Sequence, residues 1–458
     1  MSRTLGFLAR ACDGRLVGGD CAFGAVSIDS RTLEPGDLFV ALKGERFDGH
    51  DFAAAAVGRG AAALLVSRQL PLGVPQVVVA DTLEALARGA QAWRQQFTLP
   101  LVGVGGSNGK TTTKEMLAAI LARLGETLAT RGNLNNHIGV PLTLFRLAPG
   151  HRTAVVEMGA NHAGEIARLV DIASPTVGLV TNAGAEHLEG FGSLEGVARA
   201  EGEMFAGLDG AATAVMNADD AFAPLWRELS GTARIVSFGI DNEADFRALS
   251  LSSWIEDGAW VSSFDLATPA GTVRAGIALP GRHNVLNAAA AAAAAWACGA
   301  SPQQIVDGLA AVSPVRGRLQ LKPAHGGAWL IDDSYNANPS SALAGLEVLG
   351  SLGGERWLVF GEMAELGEHA VSGHAEVGRA ARARGVSRLF AVGPTTLHTV
   401  EAFGQGAAWF PDSNALAAAV RELLRPGVTV LVKGSRVNRL ETVVGSLVEA
   451  PPAACNGN

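Results

Sequence analysis

The chain has 458 residues, of which 48% are hydrophobic and 17% are charged, a composition typical of globular α/β proteins rather than disordered chains. Its 36 basic and 44 acidic residues give a formal net charge of −8, which argues against a non-specific nucleic-acid binder and a polybasic membrane-surface protein. At roughly 150 residues per domain, this length predicts about three domains with clefts between them.

The cysteines and the apolar segments indicate the cellular compartment in which the protein is expected. Cys12, Cys21, Cys298 and Cys455 are dispersed without C-x-x-C spacing, so neither a disulfide framework nor a zinc site is expected. No uninterrupted apolar stretch reaches the ~18 residues of a membrane span, and the N-terminus lacks the apolar core of a secretory signal. We therefore expect a cytoplasmic protein without stable membrane insertion.

Residues 1–97 are predicted to form a small N-terminal α/β domain. Short strand candidates alternate there with alanine-rich helices such as residues 52–59. The strand candidates are residues 25–28, 38–42, 63–66 and 76–79.

A glycine-rich loop lies between the apolar run 99–104 and the helix-like segment 114–124. It reads Gly106-Ser107-Asn108-Gly109-Lys110-Thr111-Thr112-Thr113. Glycines let backbone N–H groups approach an anion, the start of a helix adds a positive dipole, Lys110 adds charge, and the Thr111 hydroxyl can ligate Mg²⁺. Val104 stands where the strict pattern requires glycine, which leaves the shorter G-x-x-G-K-T form. The loop predicts a nucleoside triphosphate site; the alternative is an ordinary glycine turn before a helix.

Residues 98–313 are predicted to form a central P-loop ATPase-like domain with a mainly parallel sheet. Its strand candidates are apolar enough to be covered on both faces, and they are residues 101–104, 153–157, 177–181 and 212–216. Residues 248–279 are expected to form antiparallel strands with a turn at 268–271. An alanine-rich helix at 288–298 and another at 302–310 complete the predicted domain.

Polar residues follow two of the central strand candidates. Glu157 ends the strand at 153–157, and His187 follows the strand at 177–181. Because the carboxyl ends of parallel strands meet at one edge of a sheet, Glu157 is expected beside the phosphate loop as a Mg²⁺ ligand. The alternatives are a solvated acid at a strand end and a structural histidine.

Residues 314–458 are predicted to form a third, Rossmann-like doubly wound domain that begins after Ser313-Pro314. Helices alternate there with strand candidates at residues 329–331, 357–360, 388–392 and 429–432. The tail 451–458 is mostly Pro, Ala, Gly and Asn and is expected to fray.

Motifs spread over nearly the whole chain resemble those of the Mur ligases. They are residues 132–141 (GNLNNHIGVP), 157–165 (EMGANHAGE), 187–193 (HLEGFGS), 281–287 (GRHNVLN) and 332–339 (DDSYNANP). Residues 41–48 (ALKGERFD), 361–367 (GEMAELG) and 433–436 (KGSR) strengthen the resemblance. The Asp-Asn-Pro-Arg motif of the diaminopimelate-adding members is absent.

The resemblance implies ATP-dependent amide bond formation in peptidoglycan precursor synthesis. The terminal carboxylate of UDP-N-acetylmuramoyl-tripeptide would attack the γ-phosphate, and the amine of D-alanyl-D-alanine would displace phosphate from the resulting acyl phosphate. These two molecules are the expected partners, nucleic acid is not, and a monomer is expected. The alternatives are another Mur-type ligase, a folylpolyglutamate synthase-like ligase without the UDP-binding domain, and a regulatory P-loop ATPase that moves domains.

The resemblance also implies roles for individual residues of the ATP and metal sites. Lys110, His187 and Arg318 take catalytic positions. The implied ATP-binding positions are Gly106, Ser107, Asn108, Gly109, Lys110, Thr111, Thr112, Asn284, Arg318, Asp333 and Tyr335. The implied metal positions are Thr111, Glu157, His187 and Glu201, for two Mg²⁺ ions that Mn²⁺ can replace because imidazole is an unusual ligand for Mg²⁺. From the residues alone, Asn284 would be a helix N-cap and Tyr335 could equally pack in a core.

Further positions are implied for the two other substrates. Those for the UDP-linked substrate are Ser27, Asp29, Ser30, Arg31, Lys43, Arg46, Asn135 and Asn136. Lys433, Ser435 and Arg436 are implied to place the dipeptide carboxylate.

One position departs from the family pattern. Many Mur ligases have a lysine after the metal-binding histidine that becomes carbamylated and helps to hold the second metal, and Glu201 stands at that position here. Our hypothesis is that Glu201 supplies the carboxylate directly, without carbon dioxide. The alternative is that Glu201 is a plain surface acid.

Overall fold

The computed structural model describes residues 3–449 and contains three β-sheets. Cys455 and the tail expected to fray lie outside the described residues. The α/β fold class with three sheet-based units is confirmed, because most strand pairs in each sheet are parallel. Within residues 3–449, no helix is both long and apolar enough to cross a membrane.

The first sheet has five strands in the order β1-β5-β4-β3-β2, with β1 antiparallel to β5 and the other pairs parallel. The elements are α1 (Leu5–Ala11), β1 (Arg15–Val17), β2 (Val26–Ser27), β3 (Leu38–Val40), α2 (Ala53–Gly58), β4 (Ala63–Val66), β5 (Gln76–Val78) and α3 (Thr82–Arg94). The Asp81 side chain caps α3 by accepting from the Leu83 and Glu84 N–H groups. Because β2 and β3 are parallel neighbours, the segments that follow them lie at the same sheet edge.

The central sheet has nine strands in the order β14-β13-β12-β11-β10-β9-β6-β8-β7. The elements are β6 (Leu101–Gly105), α4 (Lys110–Leu121), β7 (Thr127–Ala129), α5 (Gly139–Leu144), β8 (Thr153–Glu157), α6 (Glu165–Ala173), β9 (Val177–Val180), α7 (Leu188–Phe191), α8 (Leu194–Ala206), β10 (Thr213–Asn217), α9 (Ala223–Leu229), β11 (Arg234–Gly239), β12 (Phe246–Glu256), β13 (Ala259–Thr268), β14 (Gly271–Ile277), α10 (Arg282–Ala297) and α11 (Pro302–Ala310). The predicted antiparallel strands are confirmed as β12 to β14, which extend this sheet. Since β6 lies between β8 and β9, the loops after these three strands meet at one point of the sheet edge.

Helix α10 is the alanine-rich helix that the sequence predicts. Residues Ala288 to Ala295 are all fully buried, which lets the helix lie close to α4 and to the central strands. Helix α3 fastens the first sheet to the central one, since Trp93 and Arg94 donate to the backbone carbonyls of Leu147 and Ala173 at 3.2 and 3.0 Å.

The third sheet has six strands in the order β15-β16-β20-β17-β18-β19, and only the β15–β16 pair is antiparallel. The elements are β15 (Gln320–Ala324), β16 (Ala328–Asp333), α12 (Pro339–Gly350), β17 (Glu355–Gly361), α13 (Ala370–Ala383), β18 (Arg388–Val392), α14 (Leu397–Phe403), β19 (Ala407–Phe410), α15 (Ser413–Leu423), β20 (Val428–Lys433) and α16 (Glu441–Leu447). The predicted domain limits at residues 97 and 313 fall between α3 and β6 and between α11 and β15, and they stay predictions.

Candidate active site

The glycine-rich loop between β6 and α4 is held by hydrogen bonds from two sides. The Gly106 N–H donates to a carboxylate oxygen of Glu201 at 2.6 Å. The N–H groups of Ser107 and Asn108 donate to the backbone and side-chain oxygens of Asn182 at 2.9 and 3.0 Å. The N–H groups of Gly106, Ser107 and Asn108 therefore already donate hydrogen bonds within the protein. The backbone N–H groups in the first turn of α4 have no acceptor within the helix, and they are available to bind an anion.

Glycine is required at two positions of this loop. Gly106 has φ +112°, and a Cβ there would lie 2.1 Å from Thr181 Oγ1. Gly109 has φ +83°, and a Cβ there would lie 2.4 Å from Asn287 Oδ1. Both backbone conformations are strained for other residues and neither position has room for a side chain, so this loop can form only with glycine.

The ammonium group of Lys110 lies within the loop. It donates to the carbonyl oxygens of Gly106 and Ser107, the latter at 3.0 Å, and is 3.3 Å from Glu186 Oε1. Burial by itself would lower the pKa of Lys110, but the carboxylates of Glu186 and Glu201 outweigh it and raise the pKa above its usual value. Lys110 is therefore a charged group next to the first turn of α4, as phosphate binding requires.

Thr111, Glu157 and His187 line the same cleft as the phosphate loop, a space of about 320 Å³. Glu157 is 2% exposed, which excludes the solvated-acid alternative. Its Oε1 accepts from Asn135 Nδ2 at 2.9 Å, whereas its Oε2 is buried without a hydrogen-bond partner in the described part of the chain. Because Mg²⁺ prefers oxygen ligands, an unpaired carboxylate oxygen and a nearby hydroxyl fit the ion that the family resemblance implies.

His187 contacts the third domain. Its Nδ1 pairs with Oε2 of Glu365, and both residues have positive φ angles, +47° and +62°. Such backbone conformations are uncommon for residues other than glycine and concentrate at functional sites. No group of three or more His, Cys, Asp or Glu side chains between residues 3 and 449 is arranged to hold a metal, and a second ion at His187 stays a prediction.

Glu201 lies on α8, below the phosphate loop, and it does not line the cleft with Thr111, Glu157 and His187. It is 2% exposed, so the alternative of a plain surface acid is wrong. Burial raises the pKa of Glu201 to about 7, although Lys110 opposes the shift. Glu201 and Glu157 both lie near Lys110, but only Glu157 lines the cleft, and the role of Glu201 toward a metal stays a prediction.

A second cavity of about 310 Å³ adjoins the loop on the side of α10. It gathers six of the predicted ATP-binding residues, Asn108, Gly109, Thr112, Asn284, Arg318 and Asp333. Asn284 is not the N-cap of α10, because Gly281 takes that position. Its Nδ2 donates to the Pro280 carbonyl at 2.7 Å.

Arg318 lines both the cavity and the cleft. Its guanidinium carbon lies 4.4 Å from the centroid of the Tyr335 ring, and that of Arg436 lies 5.4 Å from the same centroid. Tyr335 also lines the cleft and therefore does not pack in a core. Contacts of this kind between arginine and an aromatic ring fix the direction of both guanidinium groups.

The three residues predicted to place the dipeptide are not in one pocket. Lys433 lines the cavity and donates to Asp333 Oδ2 at 2.6 Å, because the two residues are partners at the ends of β20 and β16. Burial raises the pKa of Asp333, and Lys433 opposes the shift. The Ser435 hydroxyl is engaged by backbone within the third domain. Arg436 lines a separate pocket of about 700 Å³ with Tyr335.

The phosphate loop also contacts the third domain. The Asn108 side chain donates to Ser340 Oγ at 3.0 Å and accepts from Asn338 Nδ2 at 2.8 Å. Both partners lie at the start of α12, where Asn338 is the N-cap. The third domain thus sits directly over the loop.

The predicted UDP-binding segments follow β2 and β3 and share one edge of the first sheet. After β2, Asp29 binds both the backbone N–H and the guanidinium group of Arg31. These hydrogen bonds hold the pKa of Asp29 at about 2. After β3, Lys43 forms a backbone bridge with Asp48 in the segment that carries Arg46. Ser27 hydrogen-bonds the backbone of Asp29, in the turn that also contains Ser30.

A third space, of about 350 Å³, lies between α3 and α6. It shares Asn136, His137, Gly159 and Glu165 with the cleft. Asn135 lines the cleft itself. The spaces between the first and central sheets are therefore continuous with the phosphate loop.

Three family models of the Mur ligases match the chain in succession. The model described as Mur ligase family, catalytic domain, matches residues 23–94; the Mur ligase middle domain matches 104–295; and the Mur ligase, glutamate ligase domain, matches 317–436. The chain is 46% identical to the UDP-N-acetylmuramoyl-tripeptide--D-alanyl-D-alanine ligase of Escherichia coli K12 over 98% of this chain and 99% of that protein. The chain belongs to the Mur ligase family.

Solved structures of Mur ligases have the same three-domain fold. A crystal structure of MurF from Acinetobacter baumannii superimposes with a TM-score of 0.91 at 36% identity, covering 97% of this chain and 98% of that one. MurF from Thermotoga maritima in complex with ADP superimposes with a TM-score of 0.81 at 28% identity, covering 92% and 96%.

Several residues of this Mur ligase site are not among the predicted ones. They are Asn182, Glu186, His283, Asn338 and Glu365. Asn182 is the second residue after β9, so the strand-end rule that identifies Glu157 would have found it. His283 adjoins Asn284 in the GRHNVLN motif and lines the cavity, where burial and Lys433 lower its pKa to about 4.

Proposed function

We propose that this Mur ligase joins D-alanyl-D-alanine to UDP-N-acetylmuramoyl-tripeptide in peptidoglycan precursor synthesis, with ATP converted to ADP and phosphate. The observation that carries the proposal is the continuity of the Asn284 cavity with the cleft around Lys110 and Glu157, through Asn108 and Arg318. The identity to the Escherichia coli tripeptide ligase over nearly the full length supports this reaction over that of another Mur-type or folylpolyglutamate synthase-like ligase.

ATP is proposed to span the two spaces. Its base would enter the cavity beside Asn284, its ribose would lie near Asp333, and its triphosphate would reach the first turn of α4. Lys110 would exchange the loop carbonyls for phosphate oxygens, and Arg318, fixed against Tyr335, would face the transferring group from the third domain. The ADP complex of the MurF from Thermotoga maritima supports the assignment of an adenine nucleotide.

Magnesium is proposed to be held by Thr111 and Glu157, with a second ion near His187. The ions would supply positive charge to the phosphates during transfer. Because imidazole suits Mn²⁺ better than Mg²⁺, we expect Mn²⁺ to support the reaction as well.

The proposed chemistry has two steps at the cleft. An oxygen of the tripeptide's terminal carboxylate bonds to the γ-phosphorus while the bond to ADP breaks, which gives an acyl phosphate. The amine of D-alanyl-D-alanine then bonds to the acyl carbon, phosphate leaves and the nitrogen gives up a proton. Since water would destroy the acyl phosphate, the contacts of the third domain with Asn108 and His187 are proposed to shield it.

The UDP group is proposed to bind at the edge formed by the segments after β2 and β3, which hold Arg31 and Lys43. The peptide would then follow the space between α3 and α6 past Asn136 to the cleft. We propose Arg436 as the residue that faces the dipeptide carboxylate, because Ser435 is engaged by backbone and Lys433 is paired with Asp333. This Mur ligase is proposed to act as a monomer.

A cytoplasmic location is proposed because both nucleotide substrates must be supplied together. Within residues 3–449, Cys12, Cys21 and Cys298 form no disulfide with one another, which fits a reducing compartment.

The decisive experiment omits one substrate at a time. Mg-ATP, UDP-N-acetylmuramoyl-tripeptide and D-alanyl-D-alanine together should release phosphate and yield UDP-N-acetylmuramoyl-pentapeptide, identified by mass spectrometry. Phosphate release that needs neither the tripeptide nor the dipeptide would overturn the proposal and favour a regulatory ATPase.

A matched pair of variants ties the reaction to the phosphate loop. Lys110→Met should lower kcat/KM by about 100- to 1,000-fold, as expected for loss of one charge at the transferring group. Arg227→Met removes an exposed cation from α9 and should leave kcat/KM unchanged. Equal effects of the two substitutions would contradict the assignment of Lys110.

A further inference from the structure

Helix α8 places a buried carboxylate against the underside of the phosphate loop. We propose that Glu201 is a positioning residue, which fixes the nucleotide-binding shape of the loop by accepting the Gly106 N–H, and that it is not a metal ligand. The inference rests on the adenine nucleotide of the proposed function.

The contact is specific and closed to solvent. The Glu201 Oε2 to Gly106 nitrogen distance is 2.6 Å, and Glu201 is 2% exposed. A Cβ on Gly105 would lie 3.0 Å from the same oxygen, so a side chain at that position would crowd the carboxylate. Because Gly105, the last residue of β6, has no side chain, the Glu201 carboxylate has room to reach the loop.

This hydrogen bond completes the set that shapes the loop. Asn182 holds the N–H groups of Ser107 and Asn108 from the side of β9, and Glu201 holds that of Gly106 from below. Without the carboxylate, the buried Gly106 N–H has no acceptor, and conformations in which it finds another partner become favoured. The apparent affinity for a nucleotide then falls in proportion to the fraction of loops that keep the binding shape.

The same geometry leaves Glu201 outside the lining of the cleft that holds the candidate metal site. The cleft that Thr111 and Glu157 line does not include Glu201, and the oxygen that contacts the loop is already used as an acceptor. The side chain ends beneath the loop, so we expect bicarbonate to have no effect on turnover at this position.

Three substitutions at one site distinguish a positioning role from a charge or metal role. Glu201→Gln keeps an acceptor at the same reach, Glu201→Asp keeps the charge but withdraws the oxygen by one methylene, and Glu201→Ala removes both. The matched control is Glu195→Ala, which removes an exposed glutamate from the same helix. The dissociation constant of ADP is measured by calorimetry in EDTA, so that no divalent cation contributes.

The proposal predicts that Glu201→Ala and Glu201→Asp raise the dissociation constant of ADP by about 5- to 150-fold, the range for a buried group left without its partner. Glu201→Gln should stay within about threefold of wild type, and Glu195→Ala should not change the value. Hydrogen exchange of a peptide covering residues 101–109 should be faster in the Ala and Asp variants than in the Gln variant. If Glu201→Ala does not fold, the comparison of Gln with Asp decides the question.

Counting bound manganese ions tests the alternative that Glu201 is a metal ligand. With ADP present, the number of Mn²⁺ ions bound per chain, measured by electron paramagnetic resonance, should be the same in wild type and in Glu201→Gln. Loss of one ion in Glu201→Gln with unchanged ADP affinity in EDTA would overturn the proposal in favour of a metal ligand. Wild-type protein that binds no ADP would contradict the proposed function, whereas normal ADP binding by Glu201→Ala would overturn this inference alone.

Discussion

The buried ion pair between Lys433 and Asp333 should show strong coupling in a double-mutant cycle. The two side chains are 2% and 9% exposed and lie 2.6 Å apart. Removing one partner leaves the other charged group buried without a counter-ion. Such a group becomes neutral, because neutralisation costs less free energy than a buried unpaired charge. We therefore expect Lys433→Met and Asp333→Asn each to destabilise the protein far more than the two substitutions together.

The size of the effect follows from the ordinary pKa values of the two groups. Neutralising a lone Asp333 at pH 7 costs at most 1.36 × (7 − 3.8), or about 4 kcal/mol, and neutralising a lone Lys433 costs at most 1.36 × (10.5 − 7), or about 5 kcal/mol. The double variant carries no charge at either of the two positions and should lie within about 1 kcal/mol of wild type. Removing one partner of a buried ion pair typically costs about 3–5 kcal/mol, so with these upper limits the coupling energy should be about 5–10 kcal/mol.

The assay is urea unfolding followed by tryptophan fluorescence for wild type, both single variants and the double variant. The control is Arg88→Ala, which breaks exposed pairs with Asp13 and Glu84 and should change the unfolding free energy by at most about 1 kcal/mol. Burial raises the pKa of Asp333, so in Lys433→Met we expect the lone Asp333 to be neutral in the folded state and ionised in the unfolded state. Its destabilisation should therefore shrink by about 1.4 kcal/mol for each unit that the pH falls below 7.

Additive single effects would refute this reasoning. So would a cost below 1 kcal/mol for either single variant, because it would mean that water reaches the remaining charge.

Three further results are expected. Gly106→Ala should abolish ADP binding measured by calorimetry, because the residue has φ +112° and its Cβ would lie 2.1 Å from a neighbouring hydroxyl. The control, Gly445→Ala on the exposed side of α16, should leave ADP binding unchanged and stabilise the protein by about 0.5–1 kcal/mol. Equal effects of the two substitutions on ADP binding would contradict the assignment of the loop. The pKa of His283 is about 4 in the folded protein, so between pH 6.5 and 4 the imidazole binds a proton in the unfolded chain but not in the folded one. The free energy of unfolding should therefore fall by up to about 3 kcal/mol over that range of pH. Thermal melts of His283→Gln should show a smaller fall. Burial raises the pKa of Cys12 to about 11 and that of Cys298 to about 12, so alkylation at pH 8, mapped by mass spectrometry, should be slow at both thiols until urea unfolds the chain.

Most of the strands that the sequence predicts are buried along most of their length, as β6, β8, β9 and β20 are. Those it misses are β1, β7, β11, β15 and β19, and four of these five form sheet edges. An edge strand pairs on one side only and is often short, so its apolar pattern is weak; Ala407–Phe410, for example, is partly exposed throughout. The interior strand β11 begins with the exposed Arg234.

Local motifs predict the phosphate loop and the strand-end Glu157 because glycine conformation, helix start and strand end are all short-range properties. The contacts between distant segments are different in kind. Glu201 reaches Gly106 across 95 positions, and Asn108 meets Asn338 across 230, so both depend on how helices and domains pack. For Lys433, resemblance suggests a role in dipeptide placement, but only the pairing of β16 with β20 puts it beside Asp333.

The alanine run of α10 lets one pair of helices carry both ends of the proposed ATP site. Methyl side chains let α10 rest directly on α4, and the first turns of the two helices carry the residues proposed to meet the two ends of ATP, Asn284 and Lys110. The packing of these two helices in the central domain thus fixes the distance between the residues proposed for the base and for the phosphates, independently of the third domain. We therefore expect initial-rate kinetics to show ATP as the leading substrate.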